Sequence, residues 1–519
     1  MLIVSIIGLF TRAILCEIEH TNSGDLLSKR TSFITLAGVA LAQADARPLY
    51  RQLYEQLRQA ILSGRLSTGM RLPPTRTLAA ELNVSRNTVV NAFDQLTAEG
   101  YLSGRVGSGT YVARTLSDDA LRLRVPLAPL SRLSPRTHPL SVRGAVIAST
   151  ALEPQPDASK PRAFRSGLPA LDAFPLDLWA RLSARQWRRA PSELLGYGDA
   201  AGYRPLREAI AAYLGASRGV QCAPEQVIVV AGSQQAIDLC IRLLLDSNDE
   251  VWMEDPGYFG ARAVIRSGGA RLVPVPVDDE GLNVPVGIEQ APGARMVYVS
   301  PSHQFPLGVT LSLARRLALL QWAGRSGAWV IEDDYDSEYR YVGRPLAALQ
   351  GLDDKGRVIY VGTFSEVLFP SLRLGYMVVP PELAETFVTA RALADRHSPL
   401  VEQAIVAEFI SEGHFARHIR RMRALYAERR AALVDALARE LNGVLEVRAE
   451  PAGMHLVGWL RPGVSDVRTS RRLAANGIEA SPLSRYALSA LPRGGLVLGY
   501  ANVDARQIRE GVRRLKQVL

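Results

Sequence analysis

The chain has 519 residues, of which 47% are hydrophobic and 22% are charged. This composition excludes a wholly disordered chain, a collagen-like repeat and a small disulfide-stapled fold. The length predicts two to four domains of roughly 100–200 residues each, and three cysteines are too few for a disulfide framework or a zinc site. A net charge of +10 and an isoelectric point near 9.6 favour a polyanionic partner.

Residues 1–46 are predicted to be a disordered N-terminal extension. The apolar stretch at residues 2–15 is shorter than the roughly 20 residues that span a bilayer, so we expect no membrane association. Residues 29–44 have the charged start, apolar centre and Ala-x-Ala end of a secretory signal peptide. They begin far from Met1 and precede a DNA-binding pattern. We therefore interpret them as an uncleaved tail, or as the product of a mis-assigned start codon, in a cytoplasmic protein.

Residues 47–113 combine helical and hairpin patterns. Apolar residues recur at helical spacing, Pro74 precedes the second helix, and Ser85 is placed to cap the third. The predicted helices are 49–62, 75–82 and 86–99. The glycine-rich residues 100–112 predict a β-hairpin, or wing. The second and third helices form a helix-turn-helix, which suits the DNA major groove; the alternative is a packed helical domain without a nucleic-acid role.

Three strings in this segment carry a family resemblance. Leu72-Pro-Pro-Thr-Arg-Thr-Leu-Ala79, Val84-Ser-Arg-Asn-Thr-Val89 and Gly107-Ser-Gly-Thr-Tyr-Val112 together resemble the winged-helix domain of the GntR family of bacterial transcription regulators. The resemblance implies binding to a double-stranded DNA operator. The residues that would contact DNA are Arg76, Ser85, Arg86, Asn87, Thr88, Arg105, Gly107 and Gly109.

Residues 114–163 are predicted to be a linker, because they contain seven prolines, many arginines and little apolar periodicity. In residues 164–519, short apolar runs alternate with helical patterns, which predicts an α/β domain with a mostly parallel sheet. The predicted strands are 226–230, 250–253, 296–299, 328–331 and 358–361. Ligands of such sheets bind at the carboxyl ends of the strands, and polar motifs follow several of these strands.

Each polar motif has a functional and a structural interpretation. Gly232 and Ser233 begin a helix, where free N–H groups favour a phosphate. Tyr258 either stacks on a ligand ring or belongs to the core, and His303 is either a ligand contact or a structural histidine. The carboxylates at residues 332–338 lack a histidine at a usual ligand spacing, so we predict no metal site.

These motifs, together with Leu195-Gly-Tyr-Gly-Asp-Ala-Ala-Gly-Tyr-Arg-Pro-Leu-Arg207, resemble the fold-type I aminotransferases, whose cofactor is pyridoxal 5′-phosphate. A winged helix fused to such a domain resembles the MocR/PdxR subfamily of GntR regulators, which implies a homodimer. Tyr197 would then reach the site from a second subunit. The cofactor-binding residues that the resemblance implies are Tyr197, Gly232, Ser233, Gln234, Tyr258, His303, Asp333, Tyr335, Thr363, Ser365 and Arg373.

One position departs from the aminotransferase pattern at its centre. The family sequence Gly-Thr-Phe-Ser-Lys supplies the Schiff-base lysine, whereas this chain has Gly362-Thr-Phe-Ser-Glu366, and a carboxylate cannot form an imine. Of the chain's other lysines, Lys355 lies nearest in sequence, but at the opposite end of a strand and about 20 Å away. The remaining lysines are Lys29, Lys160 and Lys516. The family's substrate-carboxylate arginine is also missing, since its position is occupied by Val497.

The sequence therefore predicts a DNA-binding transcriptional regulator with no catalytic residue at the Schiff-base position. Its aminotransferase-like domain would dimerise and sense a small-molecule effector related to vitamin B6 or to an amino acid. Pyridoxal 5′-phosphate or pyridoxamine 5′-phosphate would bind without a covalent bond, and Glu366 would favour the cationic amine. The alternatives are an active aminotransferase, which the missing lysine disfavours, a site retained only for dimerisation and packing, and a strain variant or sequencing error at Glu366.

Overall fold

The fold is given by a computed structural model that describes residues 40–42, 47–105, 109–113, 140–150, 162–343, 346–448 and 450–519. Nearly all of the predicted extension and most of the predicted linker lie outside these residues. The chain divides into two compact units, Met1–His138 and Pro139–Leu519. None of the described helices is long and apolar enough to cross a membrane.

The first unit contains three helices followed by a hairpin, as predicted. Its elements are α1 (Leu49–Leu62), α2 (Thr75–Glu81), α3 (Arg86–Ala98), β1 (Leu102–Arg105) and β2 (Gly109–Val112). The two strands pair antiparallel. The apolar faces of the helices meet in one core, where Leu57, Val89 and Phe93 are buried. Asn83, with φ of 51°, makes the left-handed turn between α2 and α3. This is a helix-turn-helix with a wing.

A short helix, α4 (Val142–Ser149), lies in the segment that was predicted to be an extended linker. The described residues 140–150 contain no proline, so nothing in them blocks a helix. Ser141 caps it by accepting a hydrogen bond from the Gly144 backbone N–H at 3.0 Å. None of its residues is buried, and the cap at Ser141 accounts for where this helix begins.

The second unit is built on an eight-stranded sheet in the order β3-β10-β9-β8-β7-β4-β5-β6. The five central strands run parallel, and β10 and β6 run antiparallel to their neighbours. The strands are β3 (Val227–Val230), β4 (Glu250–Asp255), β5 (Arg271–Asp278), β6 (Gly281–Leu282), β7 (Met296–Val299), β8 (Trp329–Asp334), β9 (Val358–Thr363) and β10 (Gly375–Val378). Five of these match the predicted strands.

The sequence patterns missed β5 because Pro274 and Pro276 interrupt it. Prolines are tolerated there since β6, the second neighbour of β5, pairs only with Val277 and Asp278, beyond both prolines. Helices cover both faces of the sheet, so alternate residues of β3 are buried in different hydrophobic cores. Val227 and Val229 belong to the core on one face, and Ile228 and Val230 belong to the core on the other. The helices of this part are α5 (Leu176–Arg189), α6 (Ser192–Leu195), α7 (Arg204–Arg218), α8 (Ser233–Leu244), α9 (Phe259–Ser267), α10 (Val284–Gln290), α11 (Leu313–Ser326), α12 (Ala384–Asp395) and α13 (Leu400–Ser411).

The end of the chain forms a smaller layer that the sequence analysis did not separate. A 27-residue helix, α14 (His414–Glu440), precedes a four-stranded antiparallel sheet with the order β11-β12-β14-β13. The remaining elements are β11 (Leu445–Val447), β12 (His455–Leu460), α15 (Asp466–Ala475), β13 (Ser481–Pro482), β14 (Gly495–Gly499) and α16 (Ala505–Val518). The buried side of α16 includes Ile508, Val512 and Leu515.

Candidate cofactor site and DNA-binding surface

The predicted phosphate-binding residues meet at the start of α8. Gly232, with φ of 124°, precedes the first helical residue, Ser233, so the helix N-terminus begins in a conformation that suits glycine. A Cβ atom on Gly232 would lie only 3.3 Å from Nη2 of Arg373. Arg373 itself has φ of 52°. A cationic side chain beside free helix N–H groups is an arrangement that can bind a phosphate.

Gln234 and Tyr258 converge over Gly260. A Cβ atom at Gly260 would lie 2.5 Å from Nε2 of Gln234 and 2.4 Å from Cζ of Tyr258, so only glycine fits beneath them. On the other side, Oγ1 of Thr363 accepts a hydrogen bond from the Ser365 backbone N–H at 3.1 Å, which shapes the loop after β9. These predicted site residues therefore lie at the carboxyl ends of the strands, as expected.

Asp333 lies near the end of β8 and is 4% exposed. Its Oδ2 accepts a hydrogen bond from the Tyr298 phenol at 2.6 Å, whereas its Oδ1 is buried without a hydrogen-bond partner. Burial raises the pKa of Asp333 to about 7. A buried, oriented carboxylate with one open oxygen fits the N–H of a pyridinium ring, the group that the resemblance assigns to it.

The carboxylates on either side of Asp333, those of Glu332 and Asp334, form hydrogen bonds with other groups of the protein. Oδ2 of Asp334 accepts hydrogen bonds from Arg218 at 2.9 Å and from the Tyr360 phenol at 2.6 Å. Glu332 accepts hydrogen bonds from the backbone N–H groups of Leu349 and Gln350 at 2.7 and 2.8 Å. These two carboxylates are therefore committed to separate structural contacts.

His303 and Tyr335 come together as predicted. Nδ1 of His303 lies 3.0 Å from the Tyr335 hydroxyl and 2.9 Å from Oδ2 of Asp336, and its Nε2 is buried without a partner. His455, from β12, stacks nearby with a ring-centroid separation of 5.1 Å. Side-chain ligand atoms of His303, Asp336 and His455 lie within 4.8 Å of one another. His455 also bonds to the Pro306 carbonyl at 3.1 Å. This group of two histidines and a carboxylate is not visible from sequence spacing, which pointed only to the carboxylates at residues 332–338.

Glu366 follows Ser365 in the loop after β9 and places a carboxylate beside other carboxylates. Its Oε2 is buried without a hydrogen-bond partner. Burial, with the nearby charges of Asp336 and Asp333, raises the pKa of Glu366 to about 7. Glu254, which the sequence analysis did not single out, contributes to the same negative environment, and burial raises its pKa to about 7. The centre of the site therefore concentrates carboxyl groups that burial keeps protonated up to about neutral pH and that become negatively charged above it.

Tyr197 differs from the other predicted residues because it is 86% exposed. The Arg396 guanidinium lies 4.9 Å from its ring centroid, and the His397 ring lies 6.4 Å away. No other described contact links Tyr197 to the site of its own chain. An exposed aromatic ring of this kind is available to a second subunit, although no second subunit is part of the structure.

On the first unit, the predicted DNA contacts surround the start of α3. Arg76, Ser85, Arg86 and Asn87 are exposed. Ser85 caps α3 by accepting the Thr88 N–H at 3.1 Å, and its hydroxyl also lies 2.9 Å from the Thr88 hydroxyl. Nε of Arg86 approaches Oγ1 of Thr75 at 3.5 Å, so Arg86 lies across both helices of the motif.

The wing is described only in part. Arg105 ends β1 and Gly109 begins β2, whereas Gly107 lies outside the described residues. Gly109 has φ of 108°, and a Cβ atom there would lie 2.9 Å from Nε of Arg71. Arg71, which the sequence analysis did not select, therefore adds positive charge at the base of the wing.

Comparison with known proteins agrees with both units. Residues 49–112 match the family of bacterial regulatory proteins called gntR, and residues 166–515 match aminotransferase class I and II. A probable rhizopine catabolism regulatory protein, MocR, from Rhizobium meliloti is 47% identical over 90% of this chain and 93% of its own length. The pyridoxine biosynthesis regulator PdxR of Corynebacterium glutamicum is 33% identical, over 91% of this chain and 96% of its own.

A solved structure extends this comparison to the second unit. LysN, an α-aminoadipate aminotransferase from Thermus thermophilus complexed with N-(5′-phosphopyridoxyl)-L-leucine, is 34% identical, with a TM-score of 0.65. The match covers 70% of this chain and 92% of LysN. The mostly parallel sheet and the winged helix-turn-helix thus have relatives of known class, and the chain belongs to the MocR subfamily of the GntR family of transcription regulators.

Proposed function

We propose that this protein is a DNA-binding transcriptional regulator that acts in the cytoplasm as a homodimer. Its aminotransferase-like domain would bind a vitamin B6 phosphate without a covalent bond and transmit ligand binding to the winged helices. The observation that carries the proposal is the combination of an exposed recognition helix with Glu366, a carboxylate in the loop where the resemblance expects the Schiff-base lysine.

The DNA-binding half rests on the chemistry of α3. Arg86, beside the cap residue Ser85, is exposed at the N-terminus of the helix, where backbone N–H groups and guanidinium groups both attract phosphate. The relatives MocR and PdxR are regulators by name. A protein with a net charge of +10 is also suited to a polyanion such as duplex DNA.

Neither lysine among the described residues lies near residue 366, which argues against aminotransferase activity. Lys355 pairs with Asp354 before the start of β9, at the strand end opposite to Ser365. Lys516 lies on α16 and pairs with Glu440 at 2.9 Å. Lys29 and Lys160 lie outside the described residues. Without a lysine amine at residue 366, the chain has no nucleophile to hold the cofactor or to return a proton at that point.

The residues that remain fit a non-covalent vitamin B6 phosphate. When bound, such a ligand supplies a phosphate, a pyridine nitrogen and a ring hydroxyl. Gly232, Ser233, Thr363, Ser365 and Arg373 would hold the phosphate. Asp333 would accept the ring N–H, Tyr258 would cover the ring, and Tyr335 and His303 would contact the hydroxyl. A second subunit would contribute Tyr197.

The charge of the site favours the amine form of the ligand. Burial and the negative charges of Asp336 and Asp333 together raise the pKa of Glu366. No cationic group is among the contributions to the pKa of Glu366 or Asp333. Pyridoxamine 5′-phosphate brings an ammonium group, whereas pyridoxal 5′-phosphate brings a neutral aldehyde. We therefore expect the site to prefer pyridoxamine 5′-phosphate above pH 7, where these carboxyl groups are ionised, because only the amine compensates the buried negative charge.

Two measurements on the purified full-length protein test the proposal. The first selects a duplex from a random library and measures its affinity at several salt concentrations; a specific complex with a steep salt dependence is expected. Failure to select any duplex would contradict the proposal that the protein is a DNA-binding regulator. The second measures the affinity of both B6 phosphates for the natural protein, for Glu366→Gln and for a control, Glu225→Gln, on the exposed surface.

We expect Glu366→Gln to lower the affinity for pyridoxamine 5′-phosphate by about tenfold or more at pH 8, which is the contribution of one charge-assisted hydrogen bond. The aldehyde should bind this variant as well as or better than the natural protein, and Glu225→Gln should change neither affinity. Equal weakening of both ligands would contradict the preference for the amine. If neither ligand binds the natural protein, the domain is a scaffold for dimerisation.

A further inference from the structure

Two helices of the C-terminal layer present an exposed set of basic side chains, here called the basic face. It consists of Arg468, Arg471 and Arg472 of α15 and Arg506, Arg509, Arg513, Arg514 and Lys516 of α16. All eight are exposed, whereas Ile508, Val512 and Leu515 turn the other side of α16 into the core. The basic residues therefore occupy the solvent side of an amphipathic helix and of its neighbour.

The two helices contribute to one continuous surface. The Arg472 guanidinium donates a hydrogen bond to the backbone carbonyl of Val518, in the last turn of α16. At the edge of the surface, Lys516 pairs with Glu440 at 2.9 Å. Lys516, Arg513 and Arg439 all lower the pKa of Glu440, so several cations surround this partly exposed carboxylate.

Most of this positive charge has no negative partner among the described residues. Glu510, which pairs with Arg514, is the one exposed acidic residue within α15 and α16. Within the described part of the chain, Arg468, Arg471, Arg509 and Arg513 form no salt bridge. The basic face consequently projects a positive field that counterions or a bound polyanion must neutralise.

Part of this arrangement is unfavourable for the helices themselves. Arg509 and Arg513 are four residues apart, and like charges at that spacing repel each other. Arg468 and Arg506 lie in the first turns of α15 and α16, where the helix dipole disfavours cations, whereas Arg472 and Lys516 lie in the last turns, where it favours them. The dipole therefore explains only some of these cations, and the repulsion between Arg509 and Arg513 is a cost that neutral polar side chains would avoid.

We propose that the basic face binds the phosphate backbone of duplex DNA outside the bases that the winged helix contacts. The inference rests on the proposed DNA-binding function and adds a second binding surface to it. Seven of the eight side chains are arginines, whose planar fork bonds phosphate oxygens in pairs. Arg506 and Lys516 are about 15 Å apart along the helix axis, close to half of one turn of duplex DNA, which is about 34 Å.

The test uses the full-length protein and a selected operator in two duplexes, one trimmed to the operator and one extended by several helical turns on both sides. The variant Arg471→Gln/Arg509→Gln/Arg513→Gln removes three cations that hold no described salt bridge. The control Arg189→Gln/Arg295→Gln/Arg325→Gln removes three exposed cations that lie outside α15 and α16, so both variants lose the same net charge. Thermal melting and B6-phosphate binding verify that each variant is folded.

On the extended duplex, the slope of log affinity against log salt concentration should fall in magnitude by about 0.9 for each phosphate that the variant no longer neutralises. We expect that fall in the basic-face variant and no such fall in the control or on the trimmed duplex. Equal slopes for variant and control would overturn the inference and leave a merely solvated surface. Loss of binding to vesicles of anionic phospholipid, with DNA slopes unchanged, would also overturn it. If the natural protein binds no duplex at all, the proposed DNA-binding function is contradicted as well.

Discussion

Tyr298 donates its phenol hydrogen to Oδ2 of Asp333 at 2.6 Å, and Oδ1 of the same carboxylate is buried without a partner. Tyr298 belongs to β7 and Asp333 to β8, two adjacent parallel strands of the central sheet. The orientation of the carboxylate is thus set by the protein and not by a ligand. A rigid acceptor with one open oxygen is prepared for one hydrogen-bond donor, which is the requirement for holding a pyridinium ring.

Replacement of Asp333 by asparagine tests this acceptor. Because the pKa of Asp333 is raised to about 7, the carboxylate is ionised at pH 8 and mostly protonated at pH 6. We expect Asp333→Asn to lower the affinity for pyridoxamine 5′-phosphate by about tenfold or more at pH 8. The loss should be smaller at pH 6, where the Asp333 carboxylate of the natural protein is itself mostly uncharged. Calorimetric titration at both values checks this. If the affinities of the natural protein and the variant differ by the same ratio at pH 6 and at pH 8, Asp333 does not bind the ligand as an anion.

Glu366 has a consequence for stability as well as for binding. Its pKa rises from 4.5 in an unfolded chain to about 7 in the folded protein, so the folded state retains a proton that the unfolded state has released. Glu366 therefore costs no stability below pH 4.5, and its cost increases as the pH rises to about 7. We expect Glu366→Gln to be more stable than the natural protein by up to about 3 kcal/mol above pH 7.

Denaturant unfolding of the ligand-free protein at a series of pH values measures this difference. It should grow between about pH 4.5 and pH 7 and remain constant above that range. Glu225→Gln is the matched control, since Glu225 is exposed and its pKa is lowered by its own backbone and by Arg204. A stability gain for Glu366→Gln that does not change with pH would mean that packing, and not buried charge, is responsible.

The parts of the fold that the sequence predicted are those governed by local chemistry. Ser85 caps α3 because a serine before a helical run satisfies its free N–H groups, and this can be recognised from neighbouring residues alone. The five predicted strands were visible as short apolar runs. β10 was missed, since it follows the loop of Arg373 without an amphipathic signal and is defined by pairing with β3 and β9.

The candidate site was predictable where a family motif marks it, and not elsewhere. Tyr298 and Glu254 were not selected, because nothing around them in sequence shows that they face Asp333 and Ser300. His455 comes from the C-terminal layer, more than a hundred residues from His303 along the chain. The raised pKa of Glu366 depends on burial among carboxylates from other segments, which no local pattern can reveal.

Gly453 packs directly against the His303 ring, and its replacement by alanine is a steric test. A Cβ atom there would lie 1.9 Å from Cε1 of His303, and the residue has φ of 94°. Gly463, with φ of 81° and open space around it, is a matched control that carries only the backbone strain. We expect Gly463→Ala to cost about 1–2 kcal/mol and Gly453→Ala to cost a further 1–3 kcal/mol or so, with weaker B6-phosphate binding only in the latter.

Denaturant unfolding and ligand titration of the two glycine variants give these values. Equal losses of stability for both would mean that the loop around Gly453 moves aside without disturbing His303. Unchanged ligand affinity in a destabilised Gly453→Ala protein would remove His303 from the binding site.

Ser85 has two predicted roles, as the cap of α3 and as a DNA contact, and two substitutions separate them. Ser85→Ala loses the cap and should cost about 1 kcal/mol, whereas Ser85→Gly should cost only a few tenths. Both lose the hydroxyl, so both should bind the selected duplex more weakly than the natural protein. Melting curves and salt-dependent binding provide the two readouts. If Ser85→Gly binds DNA as well as the natural protein does, the hydroxyl is a cap only.

Glu366→Lys tests whether the site is intact apart from its missing amine. The new side chain would meet Asp333 and Asp336, the carboxylates that now raise the pKa of Glu366, so a lysine ammonium would be stabilised in place. We expect this variant to bind pyridoxal 5′-phosphate covalently, seen as a new visible absorption band and as a mass increase after borohydride reduction. The natural protein and Glu366→Gln should bind without either signal. If the lysine variant gains no adduct while the natural protein binds the ligand, residue 366 does not reach the aldehyde carbon, and the preference for the amine form must arise from other residues.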